Sequence, residues 1–225
     1  HPIKSNHVTV DGVTVKSHGP NNDGCDPEYA KNVHITNCLF DTGDDCIAIK
    51  SGRNEDGRRV KIPSENIIVE NCEMKDGHGG VVMGSEISAG VRNVFVRNCK
   101  MDSPNLDRAI RIKTNTLRGG FVDGVYVKDV QVGQVKEAVL KVNTHYGIYA
   151  NQEGEFIPEI KNIYLENITV EKGGKYGLLI KGREATPVAN INLKNVTIKG
   201  AEKPLEIEFA EEINYSNTTI NGQQY

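Results

Sequence analysis

The chain has 225 residues and a mass of 24.7 kDa, enough for one large domain or two small ones with a sizeable core. Charged residues make up 25% and hydrophobic residues 37%, a balance that excludes a disordered chain. The 27 basic and 30 acidic residues give a net charge of −3, so no overall basic field exists to hold nucleic acid or an anionic membrane. The sequence also has no run of 18 apolar residues, so we expect neither nucleic acid nor a membrane as a partner.

A short pattern of alternating apolar residues recurs along the whole chain. Each copy is interrupted at its fifth position by Asn, Gly or Asp. Alternation with a period of two is typical of a half-buried β-strand, and these interrupting residues tolerate left-handed backbone, so the fifth position predicts a bend. The copies begin at Val8, Val33, Ile67, Val94, Val125, Ile163, Ile191 and Ile213.

A second apolar strand follows each of the middle copies. Two or more strands per irregular repeat, without helical periodicity, predict an all-β fold. We expect a right-handed parallel β-helix (a solenoid) of about eight coils, forming a single domain over residues 1–225. The second strands begin at Cys46, Gly80, Ala109, Ala138, Leu178 and Leu205.

Three of the five cysteines occupy the sixth position of the repeat, where other copies carry Val, Ile or Thr. Cys38, Cys72 and Cys99 are therefore expected to form a buried column of reduced thiols. Their spacing does not suit zinc. Cys25 and Cys46 lie beside acidic motifs, and the sequence leaves their pairing open.

Four polar stretches interrupt the repeat on successive coils. Because coils stack, residues some twenty to thirty-five positions apart become neighbours on one face, so all four stretches are expected to line one site. They are residues 21–26, 43–45, 77–80 and 111–113.

The last stretch places two cations on one side of a strand. Arg111 and Lys113 alternate with Ile110 and Ile112, so cations and isoleucines point to opposite sides. An Arg fork and a mobile Lys suit a carboxylate ligand. A solvated strand face is the alternative.

The other stretches supply carboxylates and a histidine. Asp44 and Asp45 are consecutive and Asp23 is expected one coil away, so at least one of the three should resist ionisation and could serve as a general acid. Three carboxylates equally suit a calcium ion. His78, flanked by glycines, is a candidate site residue or an ordinary loop histidine.

These motifs together resemble those of the polygalacturonase family of glycoside hydrolases, family 28. The resemblance rests on Asn-x-Asp-Gly-x-Asp from Asn21, Gly-Asp-Asp from Gly43, Gly-His-Gly from Gly77 and Arg-Ile-Lys from Arg111, in this order. Asn22 stands where the family usually has Thr.

The resemblance implies an enzyme that hydrolyses α-1,4 bonds between galacturonic acid residues in pectin, with inversion and without a metal or other cofactor. Asp44 resembles the general acid, and Asp23 and Asp45 resemble the pair that holds the attacking water. An inverting pair needs roughly 6.5–9.5 Å between acid and base. The other residues implied are His78, which tunes the acid, the substrate-binding Arg111 and Lys113, and a tyrosine, for which Tyr146 is the first candidate and Tyr149 the second.

Three further segments resemble the bacterial exo-acting branch of the family: the loop over residues 52–64, Ser-Glu from Ser85 and Arg-Gly-Gly from Arg118. The loop over residues 52–64 carries Arg53, Arg58, Arg59 and Lys61, which are expected to serve more distant acidic sugars. The resemblance further implies an acidic polysaccharide (polygalacturonate or pectin) as partner, a secreted or periplasmic protein, and missing N-terminal coils. Two alternatives remain: calcium-dependent β-elimination like that of a pectate lyase, and a non-catalytic fragment that binds acidic polysaccharide.

Overall fold

The computed structural model describes residues 1–147 and 154–225. In these two ranges no helix is long and apolar enough to cross a membrane. In chain order the elements are β1 (Asn6–Asp11), β2 (Thr14–Ser17), β3 (Lys31–Thr36), β4 (Leu39–Thr42), β5 (Ile47–Ile49), α1 (Asn54–Val60), β6 (Ser64–Glu70), β7 (Glu73–Met74), β8 (Val81–Gly84), β9 (Val91–Arg97), β10 (Lys100–Asp102), β11 (Arg108–Lys113), β12 (Phe121–Gln134), β13 (Ala138–Asn143), β14 (Glu159–Lys172), β15 (Gly174–Lys181), β16 (Val188–Ile198), β17 (Ala201–Glu208), β18 (Ala210–Ile220) and β19 (Gln223–Gln224).

The strands form three faces of a parallel β-helix. A sheet of thirteen strands supplies two of them: β1, β3, β6 and β9 pair on the first face, and β2, β4, β7 and β10 on the second. The long strands β12, β14, β16 and β18 run through the bend and belong to both. A six-stranded sheet in the order β17-β15-β13-β11-β8-β5 is the third face. The predicted all-β solenoid is confirmed.

The repeat predicted from the sequence is the register of the first face. The starts of all eight copies are consecutive Cα partners, from Val8 with Val33 through to Ile191 with Ile213. Eight strands in register give eight coils, as predicted. On the third face, the second strands also pair in parallel, for example Ile110 with Leu140.

The fifth position of each copy bends the chain as expected. All eight residues there have a φ between 49° and 68°. Their side chains bond along the stack: Asn195 donates to Asn167 at 3.1 Å, and Asn217 donates to Asn195 at 2.9 Å. A second left-handed row, which the sequence reading missed, precedes the first residue of each copy and includes Asn32 and Asn66.

The coil interior is filled by the inward apolar residues. Cys38, Cys72 and Cys99 lie in this core, at most 2% exposed, and are free thiols. Cys25 and Cys46 are also buried and free. The predicted buried thiols are therefore confirmed, and the pair left open does not form a disulfide.

One expectation about local structure was wrong, because the loop over residues 52–64 contains the helix α1. Seven residues are too few to give a periodic apolar pattern, so periodicity could not reveal it. Its charges suit the helix dipole, with Glu55 and Asp56 in the first turn and Arg58 and Arg59 in the last.

Candidate active site

The third face and the loops that enter it bring the first two acidic motifs together. Asp44 and Asp45 lie between β4 and β5, one coil from Asp23. Backbone bonds fix this stacking: the Asp44 N–H donates to the Asn22 carbonyl at 3.1 Å, and the Gly24 N–H donates to the Asp45 carbonyl at 3.0 Å. The arrangement follows from the coil geometry, which repeats the same turn at each level.

His78 contacts Asp44 twice. The His78 N–H donates to the Asp44 carbonyl at 2.9 Å, and its Nδ1 lies 2.9 Å from Asp44 Oδ1. Gly77 makes this approach possible, because at a φ of 155° an added Cβ would lie 2.7 Å from the Asp44 carbonyl oxygen. The His78 side chain is about half exposed and that of Asp44 is 22% exposed.

Asp23 is held at both oxygens. Its Oδ1 accepts the Asp45 N–H at 3.0 Å, and its Oδ2 accepts from Lys50 Nζ at 2.8 Å. Lys50 also donates to Asp26 at 2.8 Å. Burial alone would lower the pKa of Lys50, but its bonds to the two aspartates raise it, and burial raises the pKa of Asp26 to about 6. Asp23 therefore shares the partly buried ammonium of Lys50 with Asp26.

Arg111 and Lys113 both reach Asp45. Lys113 Nζ lies 2.7 Å from Asp45 Oδ2, and Arg111 Nη1 lies 3.4 Å from Oδ1. Asp45 is 1% exposed, and burial raises its pKa while the two cations oppose that shift. The solvated strand face considered as the alternative does not fit, since Arg111 and Lys113 are 7% and 8% exposed.

Tyr146 lies beside this cation pair. Lys113 Nζ is 5.3 Å and the Arg111 guanidinium carbon 5.4 Å from its ring centroid, within the range of a cation–π contact. Asn115 holds its backbone by donating to the Tyr146 carbonyl at 2.7 Å. Tyr149, the second candidate, lies outside the described residues.

Two cations of the 52–64 loop, Arg58 and Arg59, have partners that the sequence did not suggest. Arg58 donates to the carbonyls of Leu117 and Arg118 at 2.9 and 3.2 Å and stacks 3.6 Å above the Phe156 ring. Arg58 therefore ties α1 to two other segments. Arg59 is exposed and pairs with Asp56 within α1.

The three carboxylates converge on one place. One oxygen from each of Asp23, Asp44 and Asp45 lies within 4.8 Å of the others. Three converging oxygens meet the geometric need of a cation, but Lys50 already contacts Asp23, and Lys113 and Arg111 contact Asp45, which disfavours calcium.

Sequence reasoning missed several residues around the site. Asp26 was part of a quoted motif, but its bond to Lys50 was not foreseen. Arg108, Glu137 and Lys141 form a further charged cluster beside Arg111. The repeat gave no signal for Lys141, because aligning the second strands from Ala109 and Ala138 places Leu140 opposite Arg111, whereas the observed register is shifted by one residue.

Comparison with known proteins identifies the family of this chain. The family model described as glycosyl hydrolases family 28 matches residues 2–220. A probable polygalacturonase of Vitis vinifera is 29% identical over 227 residues, covering 99% of this chain and 44% of the relative. An endo-polygalacturonase of Pectobacterium parmentieri is 31% identical over 180 residues, covering 79% of this chain and 40% of the relative.

A solved structure is similar over the whole chain. The hyperthermoactive exopolygalacturonase from Thermotoga maritima superposes with a TM-score of 0.93 at 40% identity, covering 100% of this chain and 50% of that one. The chain thus spans half or less of the length of these relatives. Because the family model matches nearly all of its residues, this chain belongs to family 28 of the glycosyl hydrolases.

Proposed function

We propose that the chain hydrolyses α-1,4 bonds between galacturonic acid residues in pectin. Asp44 gives its proton to the leaving glycosidic oxygen. Asp23 and Asp45 hold a water molecule, take its proton and direct the hydroxide to the anomeric carbon. Arg111 and Lys113 bind the carboxylate of a sugar beside the cleaved bond.

The observation that carries the proposal is the unequal distribution of cations among three neighbouring carboxylates. Asp23 contacts Lys50, and Asp45 contacts Lys113 and Arg111, so each of these two carboxylates lies against at least one permanent cation. In the described residues, the ion-pair partner of Asp44 is the half-exposed His78. Two carboxylates that contact permanent cations can hold a water molecule, and a neighbouring carboxyl without a permanent cation is placed to act as the proton donor.

The cation pair keeps donors for a substrate. Arginine has five N–H donors and lysine three, whereas Asp45 takes one from each. A sugar carboxylate can therefore bind Arg111 and Lys113 without displacing Asp45, and the Tyr146 ring limits their movement.

The stereochemistry needs its own measurement. Family resemblance implies inversion, in which the base activates a water molecule on the face of the sugar ring opposite the leaving group. We propose inversion, with water held between Asp23 and Asp45. Proton NMR of the first product identifies the anomer formed, and a product with retained configuration would contradict this assignment.

We further infer exo action, because the 40% identical relative of matching fold is an exopolygalacturonase. Exo action predicts short products of one size from the start of digestion, whereas endo action predicts a mixture. We also propose a secreted or periplasmic location, because a cell-wall polymer of this kind lies outside the cell.

Digestion of polygalacturonate with and without EDTA tests the activity. New reducing ends without ultraviolet absorbance from unsaturated sugars, unaffected by EDTA, are expected. EDTA-sensitive absorbance would identify a lyase, and binding without product would identify a polysaccharide-binding protein. Highly methyl-esterified pectin should be a poor substrate, because esterification removes the charge that Arg111 and Lys113 bind.

A further inference from the structure

Lys141 lies one coil beyond the proposed carboxylate binders. On the third face, β13 pairs with β11, and Lys141 is the register partner of Arg111. Its neighbours Leu140 and Val142 are fully buried in the core, so alternation places the Lys141 side chain on the outer side, like that of Arg111. The two cations therefore follow one line along the solenoid axis.

The cluster around Lys141 contains more positive than negative groups. Lys141 Nζ lies 2.6 Å from Glu137 Oε1, and the other oxygen of Glu137 contacts Arg108, so one carboxylate serves two cations. Arg108 also contacts Asp107 at 3.1 Å. The cations Arg108, Arg111, Lys113 and Lys141 thus share the three carboxylates Asp45, Asp107 and Glu137.

This crowding of cations leaves capacity for an anion. Burial, followed by repulsion from Arg108 and Arg111, lowers the pKa of Lys141 to about 8. An incoming anion would relieve this repulsion, whereas a neutral ligand would not.

We propose that Lys141 binds the carboxylate of a second acidic sugar, adjacent to the one that Arg111 and Lys113 bind. This inference rests on the proposed function, and it adds a residue that makes affinity depend on oligomer length. Neighbouring strands lie about 4.8 Å apart, comparable with the length of one sugar ring in a chain. The ammonium has three donors, so Lys141 can keep Glu137 while it binds the sugar.

Calorimetric titration with galacturonate oligomers of one to four sugars tests the inference. The titrations use the Asp44→Asn protein, in which the proposed proton donor is absent, so that the oligomers are not consumed. Affinity should rise stepwise with length. Adding Lys141→Met should lower the affinity for the longer oligomers about tenfold, which removes one of these steps. The affinity for shorter oligomers should stay the same.

Two controls separate binding from packing. Lys194 pairs with Glu166 as Lys141 pairs with Glu137, but on the first face, so Lys194→Met should keep every step. Lys141→Arg keeps the charge, so it should retain most of the increase in affinity that Lys141→Met removes. Lys141→Met takes one of its two cations from Glu137. The double variant Glu137→Gln/Lys141→Met also removes this carboxylate, and the same increase in affinity should still be missing.

The outcomes are distinguishable. Three results would overturn the role of Lys141 and leave the proposed function standing. They are a loss of affinity at every oligomer length, no loss at any length, and a step that is restored in the double variant. No binding of any oligomer by the Asp44→Asn protein would overturn both. If Lys141→Met does not fold, Lys141→Gln serves in its place, with thermal unfolding as the check.

Discussion

The outer sides of the first and third faces belong to the same coils but carry different chemistry. On the first face, the rings of Phe95, Tyr126 and Tyr164 stack with centroids 5.0 Å apart, beside a cavity of about 460 Å³. Nearby charges such as Arg97 and Glu70 pair near the surface, where salt and water weaken the interaction. On the third face, Asp45 and its cations are almost fully buried.

This difference distinguishes residues that stabilise the solenoid from residues suited to binding a ligand. The solenoid requires apolar residues at inward positions, so either outer face can vary. Aromatic stacking and exposed ion pairs stabilise the first face at little desolvation cost. Burying a carboxylate with two cations is costly and is a poor way to gain stability, so the third face is where we expect ligand chemistry.

The largest expected effect is at Asp44. Asp44→Asn should lower hydrolysis by at least about a hundredfold, because it deletes a transferable proton, while oligomer binding survives. Asp41 is a matched control, since it pairs with His18 at 2.9 Å as Asp44 pairs with His78. Initial rates on polygalacturonate compare the two variants. Comparable rates for Asp44→Asn and Asp41→Asn would exclude Asp44 as the acid.

A second prediction concerns the energy of the buried charges. Lys113→Met should lower the free energy of unfolding by about 3 kcal/mol, because Asp45 keeps its burial but loses its shorter ion pair. Lys194→Met, in an exposed pair, should cost at most about 1 kcal/mol. Urea unfolding gives both values. Equal losses of unfolding free energy in the two variants would mean that the faces do not differ energetically. Adding Asp45→Asn to Lys113→Met should recover part of the lost free energy.

The sequence predicted the coils well because the inward positions repeat at every level. Val33, Ile67 and Val94 occupy one column of the core, so their alternation survives loops of different length between them. The second left-handed row was overlooked because the pattern was counted from the first apolar residue, one position after Asn32 and Asn66. The helix α1 was missed because seven residues give no period.

The members of the site were predictable, but their pairing was not. Four motifs on successive coils indicated Asp23, Asp44, His78 and Arg111, and coil stacking explains why they meet. Which carboxylate receives which cation depends on rotamers and on loop paths, which alternation does not determine. Thus the sequence did not indicate that Lys50 bridges Asp23 and Asp26.

The third prediction tests the first face alone. Tyr126 stacks between Phe95 and Tyr164, so Tyr126→Ala removes two ring contacts and should lower the free energy of unfolding by about 2 kcal/mol. Oligogalacturonate affinity should remain unchanged, because this row lies on a different sheet from Arg111. Thermal unfolding and calorimetry check the two expectations. Weaker sugar binding would show that the first face also takes part in recognition.

The smallest expected effect is the pH dependence from Asp26. Burial raises its pKa in the folded state to about 6, so between about pH 4 and pH 6 the folded protein holds this proton more firmly than the unfolded chain. Its contribution to stability is therefore complete below pH 4 and declines as pH rises to 6, by about 1 kcal/mol after allowance for partial exposure. Asp26→Asn should flatten this part of the curve of urea midpoint against pH. Asp56→Asn, which changes an exposed pair in α1, is the control and should keep the wild-type slope of urea midpoint against pH. An unchanged slope in Asp26→Asn would mean that another group binds the proton.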